Sequence, residues 1–278
     1  MVATLQDHSA RMSDRIAVNG TSVAVESMGD GAPIVFSHGL LWNSTMFAAQ
    51  VARLSPRFRC ITYDHRGQGE SPSSPTPYDM ETLTDDAAEL IVKLGAAPCH
   101  FVGLSMGGFV GMRLATRRPD LIRSLVLIAT AADVEPFWNR PKYQALMALE
   151  RAVGIRPLSK MGLRIMCGGA LVRDPARQAE RDAAVAIMTT LTGSRLRAAL
   201  NAVITRRAIA DELSRISVPT LVLHGDDDHA VRMPRARAMA DAIPGARFVV
   251  VPRAGHSSTF EEPEFVSRAI DAFVSDVG

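Results

Sequence analysis

Lysine is nearly missing from this 278-residue chain. It occurs only at positions 93, 142 and 160, so arginine supplies the other 28 of 31 basic residues. An excess of charge of either sign is missing as well. The 31 basic residues face 29 acidic ones for a net charge of +2. That balance excludes a polyanion binder working through bulk charge, and it excludes the highly charged disordered class. Cysteine is scarce. Cys60, Cys99 and Cys167 are too few and too scattered for a disulfide framework, and none has the Cys-x-x-Cys partner of a zinc knuckle. No window approaches the roughly 18 uninterrupted apolar residues of a transmembrane helix. The opening stretch MVATLQDHSARMSDR has no apolar run and carries charges at 7, 11, 14 and 15, so it does not read as a signal peptide. These absences lead us to expect a reducing cytoplasm, no membrane and no nucleic-acid partner.

What is present has the pattern of an α/β protein. Short apolar runs alternate with helical stretches, as in a mostly parallel sheet flanked by helices. Asn19-Gly20 between Arg15–Val18 and Ser22–Glu26 is a hairpin signal. Buried-strand runs follow at Pro33–Ser37, Arg59–Tyr63, His100–Leu104, Ser124–Ala129, Thr220–His224 and Arg247–Val251. From Asp133 to Ser217 no strand run occurs, and Asp174 and Ser194 read as N-caps of helices there. The expected organisation is therefore a core of residues 1–132 and 218–278, with a helical cap at 133–217. Such an insert lies over the carboxyl edge of the sheet, where open α/β sheets bind ligands.

Gly103-Leu104-Ser105-Met106-Gly107 lies between a strand run and the helical stretch Met106–Arg117. Gly-x-Ser-x-Gly in that setting is a nucleophile elbow: side chains at the glycines would clash, and the tight turn thrusts the serine hydroxyl out. A serine needs a base, and the base needs an orienting carboxylate. Leu221–Leu223 runs into His224-Gly225-Asp226-Asp227-Asp228, and Val249–Val251 runs into a loop ending at His256. His256 is the expected base. Asp228 lies furthest into its loop and is the favoured acid, with Asp227 the alternative; Asp226 is expected to cap the turn, and His229 to be a solvated neighbour. Backbone N–H groups of Met106 and of Leu40, in Ser37-His38-Gly39-Leu40, are the expected oxyanion donors. His38 is read as a brace for that loop, and Asp64-His65-Arg66 as a turn held by an Asp–Arg ion pair.

Taken together, SHGL, DHRGQGES, GLSMGG, HGDDD and AGHSSTFEEPEF resemble the α/β-hydrolase superfamily of serine hydrolases over roughly 15–130 and 218–275. The stretch from Gly103 to Ala132 resembles its small esterase and enol-lactonase branch. The resemblance implies an eight-stranded, mostly parallel sheet, a helical lid between strands six and seven, and Asp228 as the acid. It departs from aspartate-nucleophile members, since position 105 is Ser, and from the usual C–C hydrolases, since position 104 is Leu rather than Asn.

The implied activity is cleavage of a small carboxylic ester or lactone, without metal or organic cofactor. Alternatives on the same fold are cofactor-free perhydrolysis, C–C bond hydrolysis, and a small-molecule receptor of very slow turnover. The cap carries 14 basic against 8 acidic residues, the rest of the chain 17 against 21. This is read as an arginine-rich solvated surface, or alternatively as attraction for an anionic substrate. Trp138 and Met161 are expected to line the substrate pocket; Phe137, Met147, Met166 and Met188 belong with them in the cap, most of the set as its core.

Overall fold

The computed structural model describes residues 14–73 and 78–277. The stretch read above as lacking a leader therefore lies, but for its last two residues, outside the described residues. Eight strands form one sheet: β1 Asp14–Val18, β2 Thr21–Met28, β3 Pro33–Ser37, β4 Arg59–Tyr63, β5 Cys99–Leu104, β6 Ile122–Ile128, β7 Thr220–Gly225 and β8 Arg247–Val251. Their order is β1-β2-β4-β3-β5-β6-β7-β8. β1 and β2 pair antiparallel, as do β2 and β4, and all other pairings are parallel. The first hairpin turns at Asn19 and Gly20, both at positive φ, as the turn type favoured by an Asn-Gly pair requires.

Period-two alternation in the central strands divides the core into two layers. Val35, Ile61, Phe101 and Leu125 point to one face, where α2 (Met80–Lys93), α3 (Met106–Arg117) and α9 (Met233–Ala242) cover them. Ile34, Phe36, Val102 and Val126 point to the other, where α1 (Ala48–Leu54) and α11 (Pro263–Val277) bring Leu54, Val266 and Ile270. Both faces are apolar because both are covered, which is why these strands read as continuous apolar runs. Among the described residues no helix is long and apolar enough to cross a membrane.

No strand interrupts the chain between Ile128 and Thr220. That stretch holds α4 (Arg140–Val153), α5 (Ser159–Met166), α6 (Gly169–Arg173), α7 (Gln178–Met188) and α8 (Gly193–Thr205), with short 3₁₀ turns between them. Asp174 caps as expected, accepting from the Ala176 N–H. Ser194 does not. The helix begins two residues earlier than that cap would set it, with Thr192 as N-cap, and the first N–H, that of Gly193, is satisfied by the Glu150 carboxylate of α4. A tertiary partner has taken the place of the local cap.

The expectation for Trp138 and Met161 is also corrected. Both are solvent-exposed, at 64% and 44%, and Phe137 is exposed beside them, whereas Met166 and Met188 are core residues. Helical geometry explains the split. On α5 the buried residues are Leu163 and Met166, and Met161 projects from roughly the opposite face. On α4 the inward stripe is Tyr143, Met147 and Glu150, whereas Trp138 precedes that helix, in the 3₁₀ turn Phe137–Asn139 that buries none of its residues.

Candidate active site

Ser105 links β5 directly to α3 with φ 52° and ψ −107°, a strained backbone conformation for a non-glycine residue. Its neighbours explain how the chain tolerates so tight a turn. A Cβ on Gly107 would lie 2.0 Å from the Ser37 carbonyl oxygen, and one on Gly103 would lie 2.3 Å from that of Gly107. Hydrogen bonds to the Ser105 main chain then lock the turn. Ser105 N–H donates to Ile128 O (2.8 Å), and Thr130 Oγ1 donates to Ser105 O (2.9 Å).

The loop after β3 lies against this turn. A Cβ on Gly39 would come within 3.4 Å of Ser105 Cβ. Neither the Leu40 nor the Met106 N–H donates a hydrogen bond among the described residues, so both expected oxyanion donors are free to serve a ligand. His38 braces the loop as expected. Its Nε2 accepts from the His65 N–H (3.0 Å), so its proton is on Nδ1, which donates to Gly39 O (2.8 Å). The expected Asp64–Arg66 ion pair is not formed. Asp64 closes its own turn by accepting from the Glu70 N–H (2.8 Å) and ties it to the loop after β3 by accepting from the Ser44 N–H (2.7 Å). Arg66 instead reaches Asp86 on α2 in a buried two-pronged pair.

Further along the strand order, past β6, Asp228 follows β7 and His256 follows β8. His256 Nδ1 and Asp228 Oδ2 are 2.9 Å apart. Because Asp228 Oδ1 already accepts from the N–H groups of Ala230 (2.8 Å) and Val231 (2.9 Å), the carboxylate is fixed at both oxygens. Burial would raise the pKa of Asp228, but the neighbouring His256, its hydrogen bond and the Val231 N–H outweigh that and hold it below the usual carboxylate range. Asp228 is thus the anionic partner of His256. The turn-capping role expected of Asp226 falls to Asp228, because only a side chain at the turn's start can accept from amides two and three residues on. Asp227 points elsewhere, accepting from the Gly169 N–H of α6 (2.6 Å) and lying 3.2 Å from the exposed His229.

Four loops leave one edge of the sheet. Asp226 N–H donates to Val251 O and Asp227 N–H to Ala254 O, joining the loops after β7 and β8. The buried Trp42, on the loop after β3, donates from Nε1 to Ser257 Oγ next to His256 (3.0 Å). Ser105 Oγ itself makes no hydrogen bond among the described residues, so the nucleophile–base contact is the one link not closed here. Such contacts commonly tighten only when substrate is bound. Trp42 and Ser257 were missed by sequence reasoning; the signal available was Ser257 in the AGHSSTFEEPEF segment.

Residues 32–263 match the α/β hydrolase fold family. The chain is an α/β hydrolase. A thermophilic esterase from Thermogutta terrifontis, solved with malate bound, is 30% identical, with a TM-score of 0.87 over 95% of this chain and 99% of that one. The enol-lactonase from Burkholderia xenovorans LB400 is 30% identical, with a TM-score of 0.85 over 94% of this chain and all of that one (100%). Among curated relatives, a Pseudomonas syringae protein named "Putative carbamate hydrolase RutD" is 30% identical over 247 residues, 88% of this chain and 95% of its own. The fold and the esterase and lactonase resemblance read from the sequence are therefore those of its relatives.

In this α/β hydrolase, arginines of the insert divide by partner. Arg177 pairs with Glu180, Arg206 with Glu135, and Arg195 donates to the Gly67 and Gly69 carbonyls. Arg164 and Arg173 instead line a recess of about 430 Å³ with Cys167, Val172 and His229.

Buried histidines set the acid limit of this fold. Burial lowers the pKa of His38, His65 and His224, and pushes His100 down to about 4. An unfolded histidine binds its proton near 6.5. Below that pH the unfolded state therefore takes up protons that the folded state refuses, and stability falls. Glu261, which burial pushes up to about 7, works the other way, but it is one group against four. We expect the melting temperature to fall steadily as pH drops from 6.5 toward 4 in melts followed by fluorescence. A flat profile over that range would contradict the neutral-histidine assignment.

Proposed function

We propose that the protein is a serine hydrolase of small carboxylic esters or lactones, acting through Ser105, His256 and Asp228. The observation that carries this is the convergence on one sheet edge of a strained serine with a free hydroxyl, two free backbone N–H donors, and a histidine already paired to an ionised aspartate. His256 Nε2 takes the Ser105 Oγ proton as Oγ attacks the substrate carbonyl carbon. Asp228 keeps the proton on Nδ1 and stabilises the imidazolium. The Leu40 and Met106 N–H groups receive the oxyanion. Collapse breaks the acyl C–O bond, and His256 returns the proton to the leaving alcohol oxygen, which stays tethered if the substrate is a lactone. His256 then deprotonates a water that attacks the acyl-enzyme, releasing the acid and restoring Ser105.

The substrate carries a carboxylate on this reading. The arginine-rich insert, the recess between Arg164 and Arg173, and the esterase relative with malate bound support it. The test is a fluorophosphonate probe with peptide mapping, alongside a panel of p-nitrophenyl esters, lactones, enol-lactones and carbamates. Labelling at Ser105 with loss of ester hydrolysis is expected. Absence of labelling at saturating probe would sink the mechanism, and peracid formation from acetate and peroxide exceeding ester turnover would redirect it to perhydrolysis.

A further inference from the structure

Glu261 closes the short helix α10 (Ser258–Glu261) and is 2% exposed. A buried carboxylate needs partners, and here all its hydrogen-bond partners are backbone amides. Oε1 accepts from Gly255 (3.0 Å) and Ser257 (3.1 Å), the residues on either side of His256. Oε2 accepts from Gly168 (2.7 Å), at the joint between α5 and α6 of the insert. The two glycines lie back to back. A Cβ on Gly255 would come 2.2 Å from Gly168 N, and one on Gly168 would come 2.8 Å from Gly255 N. Arg177 Nη2 donates to the carbonyl of Glu261 itself (2.7 Å), and Ser257 Oγ donates to Met166 O (2.6 Å).

One oxygen thus holds both amides that flank the base. With its neighbours fixed to a common acceptor, the backbone at His256 has little freedom to rotate, and the imidazole is aimed by that constraint as much as by Asp228. The remaining oxygen ties the same point to the insert. We propose that Glu261 is a positioning residue for the hydrolysis: it fixes the reach of His256 toward Ser105 and couples that reach to the placement of the insert. The inference rests on the triad reading above.

The test compares wild type with Glu261→Gln and Glu261→Asp. Glutamine keeps the shape but turns an NH₂ group toward at least one of the three N–H donors. Aspartate keeps the carboxyl group and is one methylene short. Each protein is titrated with the phosphonate so that rates are read per reactive serine. In Glu261→Gln, kcat is expected to fall by about 10- to 100-fold, the scale of a misplaced catalytic group, with KM nearly unchanged. The phosphonylation rate of Ser105 should fall in parallel, and the downfield proton signal of His256 Nδ1–H should shift or broaden. Glu261→Asp should fall in between. A lower melting temperature with kcat and phosphonylation rate retained in either variant overturns the proposal, leaving a purely structural carboxylate. Should Gln prevent folding, an Asp variant with unchanged kcat overturns it equally. If wild type is not labelled at Ser105, the triad reading fails first, which separates the two.

Discussion

Alanine in place of Ser105 is expected to lower kcat/KM for the best ester of the panel by about 10⁴-fold or more, with the fold untouched. Two features of the site make the separation clean. Ser105 Oγ makes no hydrogen bond among the described residues, so its removal breaks no contact that holds the turn. The strain at φ 52° belongs to the backbone, and alanine meets it as serine does. The stability change should therefore stay within about 0.5 kcal/mol, as for an unpartnered side chain. A domain of this size would then move by only about 1–2 °C in melting temperature. The rate that remains is that of binding and the oxyanion donors alone. Initial rates on purified protein decide it. Retention of more than about one part in a hundred of the wild-type rate would mean that water or another group attacks the carbonyl directly.

The second large effect is expected from Asp228→Asn, a loss of about 10³- to 10⁴-fold in kcat. The geometry predicts the direction of the damage. Oδ1 accepts from two backbone N–H groups, those of Ala230 and Val231, while Oδ2 faces His256 Nδ1. An asparagine must set its oxygen toward the two amides, since an NH₂ group there would oppose two donors. Its NH₂ then points at Nδ1 and donates to it, which forces the imidazole proton onto Nε2. That tautomer cannot take a proton from Ser105. Asp227→Asn is the internal control, because Asp227 is engaged with Gly169 and His229; its kcat should change less than about threefold. A loss below tenfold in Asp228→Asn, or a larger loss in Asp227→Asn, would move the acid to position 227.

Much of this was legible because it is local. The strand bounds Pro33–Ser37, Arg59–Tyr63 and Arg247–Val251 match the observed elements, as does helix Met106–Arg117. Buried parallel strands and a glycine-flanked elbow are written in consecutive residues. What was misread depends on partners distant in sequence. Arg66 chose Asp86 over Asp64, which was already engaged by the Glu70 amide of its own turn and by the distant Ser44 amide of the loop after β3. The cap at Ser194 yielded to Glu150 from a different helix. Trp138 and Met161 were placed by chemistry alone; the face Met161 occupies is set by what α5 packs against, and Trp138 stands in an exposed turn ahead of α4. Among the three aspartates, the sequence ranked Asp228 first but assigned the turn to Asp226; in the structure Asp228 makes both contacts, the turn amides on one oxygen and His256 on the other.

Apart from Arg177, whose side chain donates to the Glu261 carbonyl, the insert's hydrogen bonds to the loops after β7 and β8 use its main-chain groups: Met166 O takes Ser257, Gly168 N–H reaches Glu261, and Gly169 N–H reaches Asp227. Every residue type except proline supplies those groups, so these contacts specify almost nothing about the insert's side chains beyond the small residue forced at 168 by Gly255. A core wired in this way can accept caps of unrelated sequence. Substrate range is then open to change by exchanging one contiguous segment, while the residues that perform the chemistry stay where they are.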